Sequence, residues 1–138
     1  MGRIVAIDYG KKRTGLAASD PLQMIAGGLG AVESGKAIDY LRDYAAREDV
    51  ELFILGEPRS MNYEPSENMQ RVRQFRQKLQ KAIPSIAIQM VDERFTSVLA
   101  HRAMLEGGLK KTQRQNKALV DELSATILLQ TYLETIRK

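Results

Sequence analysis

Apolar and polar positions alternate along the chain in short extended runs and longer helical ones. Residues 3–8 (RIVAID) form a short apolar run rich in β-branched side chains, halted at Tyr9-Gly10. Residues 14–19 (TGLAAS) form a second run after the basic turn Lys11-Lys12-Arg13. Two such runs joined through a glycine-containing turn predict an antiparallel hairpin. Residues 22–32 (LQMIAGGLGAV) read as a third strand, interrupted by Gly27, Gly28 and Gly30. Glycine inside a strand weakens it and often marks a bulge.

The pattern then changes period. Over 35–48, Ile38, Leu41, Tyr44 and Ala45 recur at helical spacing. ELFILG (51–56) is a compact strand ended by Gly56-Glu57-Pro58, and 59–66 is a polar loop. A helix over 66–82 has Ser66 as its cap and Met69, Val72, Phe75 and Leu79 as its buried stripe. Pro84 stops it, and IAIQMV (86–91) is the last strand, ending at Asp92-Glu93-Arg94. A short helix over 97–106 lies between Thr96, a capping residue, and Gly107-Gly108. The basic stretch 109–117 leads into a closing helix over 117–136. Its apolar residues, from Leu119 to Ile136, cover most of its circumference, which predicts packing on more than one side. The order β-β-β-α-β-α-β-α-α predicts an α/β fold, a mixed sheet flanked by helices.

Composition narrows the chemistry. The chain has 138 residues, no Cys and one His, so thiol nucleophiles, Cys-ligated metals and disulfides are excluded. That length suits one domain, 1–138, able to bury a core without a staple. The net charge of +4 tilts the chain toward polyanionic partners without demanding them. The start, MGRIVAID, lacks the longer apolar stretch of a signal peptide, and no segment approaches the roughly 18 apolar residues of a membrane span. The expectation is a cytoplasmic protein with no membrane partner.

Three acidic positions stand where elements end: Asp8 at the first strand, Asp92-Glu93 at the last, and Asp121 at the start of the closing helix. Ser124, Ala125, Leu128 and Tyr132 share the stripe of Asp121, so that carboxylate is expected to be buried. A buried carboxylate needs a metal, an arginine or a proton to compensate it. Converging carboxylates suit a hard divalent cation such as Mg²⁺, and two such ions can activate a water and stabilise the leaving oxygen of a phosphodiester. Each position also has a plainer reading. Asp8 could belong to a turn, Asp121 could prime a helix terminus, and Asp-Glu-Arg could form a surface ion pair. Lys110, Lys111 and Arg114 could be a solvated loop, and Arg71, Arg73, Arg76, Lys78 and Lys81 the wet face of a helix.

Taken together and in order, IVAIDYGKKRTGLAASD, ILGEPRSMN, VDERFTS and VDELSATILLQTYL resemble the YqgF/RuvX family. That group contains proteins described as Holliday-junction resolvases and as nucleases that trim the 5′ end of precursor 16S rRNA. The resemblance implies an RNase H-like fold, a five-stranded mixed sheet whose first three strands are antiparallel. It also implies a Mg²⁺- or Mn²⁺-dependent nuclease with Asp8, Glu93 and Asp121 as catalytic metal ligands. Asp92 competes with Glu93, because adjacent strand residues point to opposite faces. Glu57 stands where the family has an apolar residue, which makes it a further candidate ligand or a solvent-facing departure. Arg13 and Arg94 match family positions suited to phosphate contact or carboxylate orientation, and Lys12, Lys110, Lys111 and Arg114 are candidate contacts to the nucleic-acid backbone.

The expected substrate is structured RNA, precursor 16S rRNA above all. The alternatives are a junction resolvase acting on branched DNA and a non-catalytic nucleic-acid-binding factor in transcription or ribosome assembly. A two-domain nucleotide-binding protein of the actin or hexokinase type shares the Asp-x-Gly hairpin, but needs about twice this length.

Overall fold

The computed structural model describes residues 2–57, 67–93 and 117–136. Its strands are β1 (Arg3–Tyr9), β2 (Arg13–Ser19), β3 (Ala26–Glu33), β4 (Val50–Glu57) and β5 (Ala87–Asp92). Its helices are α1 (Ala37–Arg47), preceded by a 3₁₀ turn at Ser34–Lys36, α2 (Glu67–Ala82) and α3 (Lys117–Ile136). The predicted helix over 97–106, its Thr96 cap, the Ser66 cap, the loop 59–66 and the basic stretch before residue 117 lie outside the described residues.

The strands form one five-stranded sheet in the order β3-β2-β1-β4-β5. β1 pairs antiparallel with β2, and β2 with β3, while β1–β4 and β4–β5 are parallel. This is the expected mixed sheet. Strand alternation sorts its side chains into two cores. Val5, Ile7, Phe53, Leu55 and Ile88 pack with Leu41 of α1 and with Val72, Phe75 and Leu79 of α2. Ile4, Ala6, Ala17 and Ile54 point the other way and pack under Ala125, Leu128, Leu129 and Leu133 of α3. The central strands are buried on both faces, which is why IVAI and FILG read as continuous apolar runs rather than alternating ones.

The third strand is shorter than its apolar run predicts: it begins at Ala26 rather than residue 22. Asp20 causes this. Its Oδ1 accepts the backbone N–H groups of Met24 and Ile25 at 2.8 Å each, and its Oδ2 accepts that of Leu22 at 3.2 Å. The chain is thereby folded into a turn with Gln23 at φ 59°, and Leu22, Met24 and Ile25 are left exposed. The expected glycine irregularity is present: the register steps from Leu16↔Gly30 to Ala17↔Gly28, leaving Leu29 as the bulged residue beside Gly30 at φ +113°.

α3 also departs from its expected all-round burial. Asp121, Ser124, Ala125, Leu128, Leu129 and Leu133 are buried against the sheet, whereas Leu119 and Ile136 are exposed. Its buried stripe starts with small side chains, and the Ser124 hydroxyl bonds back to the Val120 carbonyl at 2.9 Å. That lets the helix lie close to the sheet. No described helix is long and apolar enough to cross a membrane.

Candidate nuclease site

The carboxyl ends of the three parallel strands β1, β4 and β5 gather at one edge of the sheet, the end at which open α/β sheets bind ligands. Asp8 follows Ile4 and Ala6 in the alternation of β1, so it belongs to the α3 face. Its antiparallel partner on β2 is Gly15. A Cβ on Gly15 would overlap the backbone carbonyl of Asp121, so only glycine admits the start of α3 here. On the other side of Asp8, β4 carries Gly56, where a Cβ would fall 2.5 Å from Glu93 Oε1 and 3.3 Å from Leu128 Cδ2. Two glycines thus flank Asp8, one seating the backbone of Asp121 and the other the carboxylate of Glu93.

Both of those acids are buried, Glu93 with 5% and Asp121 with 6% of its surface exposed. Arg13, at the start of β2, donates from Nε to Asp121 Oδ2 at 3.2 Å. The guanidinium therefore sets the orientation of this carboxylate and offsets its charge. The hairpin turn beside it is braced by Ser34. Its hydroxyl donates to the Gly10 carbonyl at 2.5 Å and bonds with Thr14 Oγ1 at 2.9 Å, and its backbone N–H reaches the Lys12 carbonyl at 2.9 Å.

The remaining candidates divide by position. Phe53 and Leu55 face α1 and α2, so alternation along β4 assigns Glu57 to that opposite face; Ile88 and Met90 do the same for Asp92 on β5. Lys12 is exposed in the hairpin turn. Arg94, Lys110, Lys111 and Arg114 lie outside the described residues. The structure brings Asp8, Glu93 and Asp121 to one end of one sheet face. Among the described residues, however, no three acidic or histidine side chains form a group that could hold a metal ion. Asp121 instead has the guanidinium of Arg13 on one of its oxygens.

The donor chemistry of this face is that of a hard cation: oxygen only, acidic and shielded from water. Tyr132, farther along α3, donates its hydroxyl to Gln89 Oε1 at 2.9 Å. Burial pushes its pKa up, so it stays a protonated donor at neutral pH. The motifs alone do not mark Gly15 and Gly56 as seats for the acids. The signal that could have found them is register, since each glycine stands beside Asp8 on a neighbouring strand.

The architecture is RNase H-like. The solved structure of Thermus thermophilus RuvC in complex with a Holliday junction substrate matches it with a TM-score of 0.61 at 16% identity, covering 99% of this chain and 96% of that one. The family model RuvX, described as Holliday junction resolvase, matches residues 2–135, and the chain belongs to this family. A relative from Azobacteroides pseudotrichonymphae, 65% identical over 100% of both chains, bears the name "Putative pre-16S rRNA nuclease". A relative from Parabacteroides distasonis bears the same name and is 62% identical over 98% of this chain and 96% of its own. Family and relatives make the chain a nuclease, a hydrolase of ester bonds whose substrate is nucleic acid. Nucleases of this RuvC-like class generally depend on a divalent metal.

Proposed function

We propose that the chain, acting as one domain over residues 1–138, is a cytoplasmic Mg²⁺- or Mn²⁺-dependent nuclease that trims the 5′ end of precursor 16S rRNA. The observation that carries this reading is the pair of buried acids, Glu93 and Asp121, set beside Asp8 across two glycines. The name that both relatives bear supports the RNA substrate.

Asp8, Glu93 and Asp121 are the residues that would hold the metal, with Glu57 and Asp92 on the far face as the weaker candidates. The chemistry such an ion supplies when bound is Lewis-acid stabilisation of charge on the scissile phosphate. The chain contributes the rest. Arg13 orients Asp121, the close seating of α3 on Gly15 excludes water from beneath the acids, and the hairpin braced by Ser34 fixes the end of β1. Lys12 with Arg94, Lys110, Lys111 and Arg114 supplies positive charge for the backbone of the substrate.

The test is cleavage of a 5′-extended 16S rRNA fragment by the purified protein with Mg²⁺, with chelator, and by Asp8→Asn. Correct trimming that needs both the ion and Asp8 supports the reading; equal trimming by Asp8→Asn overturns it. The family description favours a second substrate, branched DNA. Cleavage of a synthetic four-way junction in preference to the RNA would select it.

A further inference from the structure

On the sheet face away from α3, the hairpin turn after β1, the Ser34–Lys36 turn and α2 enclose a cavity of about 220 Å³. Lys11 reaches it from the hairpin turn, and Arg71, Gln74 and Lys78 from α2. The last three recur at i, i+3 and i+7, so they share one side of the helix. Tyr9 and Phe75 form its apolar wall, their ring centroids 4.5 Å apart. Among the described residues no acidic side chain lines this cavity, and Lys11, Arg71 and Lys78 take part in no ion pair. Arg73, Arg76 and Lys81 also lie on α2 but line no part of it, so the basic face of this helix is not uniform.

Three cations converging on one concavity select an anion, and a polar rim over an aromatic wall suits a phosphate carried on a sugar and base. The volume falls below the roughly 300–1,000 Å³ typical of free-standing small ligands. It fits one unit of a longer chain. The position agrees: Tyr9 directly follows Asp8 on β1, so cavity and acids stand on opposite faces of the same strand end.

We propose that this cavity is a phosphate-binding subsite for a single-stranded segment of the nucleic-acid substrate, gripping it on the face of the sheet opposite the acids. The proposal rests on the nuclease reading for the identity of the strand. It does not rest on the identity of the cutting residues. The shared chemistry is a phosphate ester, and the strand rather than a free mononucleotide is its source.

The test measures binding without cleavage, by fluorescence anisotropy of a labelled single-stranded RNA in chelator. Wild type is compared with Lys11→Gln/Arg71→Gln/Lys78→Gln and with the charge-matched Arg73→Gln/Arg76→Gln/Lys81→Gln, circular dichroism confirming equal helix content. The cavity variant is expected to weaken binding about tenfold and to flatten the slope of log K against log salt by about 0.7, the value for one lost phosphate contact on a single strand. The control is expected to shift affinity about twofold or less, as removal of non-directional charge. Equal losses in the two variants overturn the subsite while leaving the nuclease reading intact. Uridine monophosphate that binds through the cavity while RNA affinity ignores the cavity variant overturns it in favour of a free nucleotide. A wild-type chain that binds no single-stranded RNA overturns the subsite and leaves the nuclease reading to the cleavage test.

Discussion

Asp8 and Tyr9 are neighbours in sequence, yet they belong to opposite sides of the sheet, and the two sides are built differently. Toward α3 the surface is made of glycine and small residues, the helix lies almost on the strands, and carboxylates are buried at the join. Toward α1 and α2 the side chains are large, Tyr9 packs on Phe75, and an open cavity with three cations remains at the edge. One strand end thus presents acid on one face and positive charge on the other. Strand alternation alone produces that separation. It teaches that tight packing serves the acids, because a carboxylate is shielded only where a helix can come close. The looser face is free to hold an extended anion.

The tight face tolerates an added carbon least. Gly15→Ala is expected to destabilise the fold by about 3 kcal/mol, the upper end of overpacking costs, because the added carbon meets helix backbone that has no rotamer to move. Gly35→Ala, on the looser side, adds a carbon that meets nothing within 4 Å and should change stability little. Urea denaturation of both variants checks the contrast; equal midpoints would show that α3 is not seated as described.

A smaller effect is expected at Arg13→Gln. It removes a guanidinium from a buried carboxylate, and the arginine side chain itself is 35% exposed. The expected loss is about 1 kcal/mol, since solvent screens the exposed partner. Denaturation at neutral pH measures it, and an unchanged midpoint would mean that Arg13 does not support Asp121.

The smallest effect is at Asp20, away from both faces. Backbone N–H groups of Ile25 and Met24 hold its carboxyl below its ordinary value of 3.8. A depressed acid contributes stability that is complete above its unfolded pKa and is lost as pH falls through the folded one. The stability gap between wild type and Asp20→Ala should therefore be widest near neutrality and close below about pH 4. A gap that stays constant with pH would assign the effect to something other than this carboxylate.

Much of this architecture was legible in the residues. The strand at 51–56 and the stripe Met69, Val72, Phe75 and Leu79 follow from period alone, because burial on a sheet leaves one apolar face per helix. The acids at strand ends were legible for the same reason. The start of the third strand was not, since Leu22, Met24 and Ile25 are apolar but are turned outward by bonds to Asp20 that no period reveals. Nor was the roughly one-sided burial of α3, because composition does not say where a sheet ends. Face assignment at Glu57 and Asp92 needed the register of β4 and β5, as did the seating of Glu93 on Gly56.

The central claim is that cutting takes place on the α3 face and not on the other. It is tested most directly by single-turnover cleavage of the same RNA by Glu93→Gln and Glu57→Gln side by side. Glu93→Gln is expected to slow cleavage by about 100-fold or more, beyond the range of outer-shell changes, while Glu57→Gln stays within about threefold of wild type. A loss at Glu57→Gln as large as that at Glu93→Gln would contradict it.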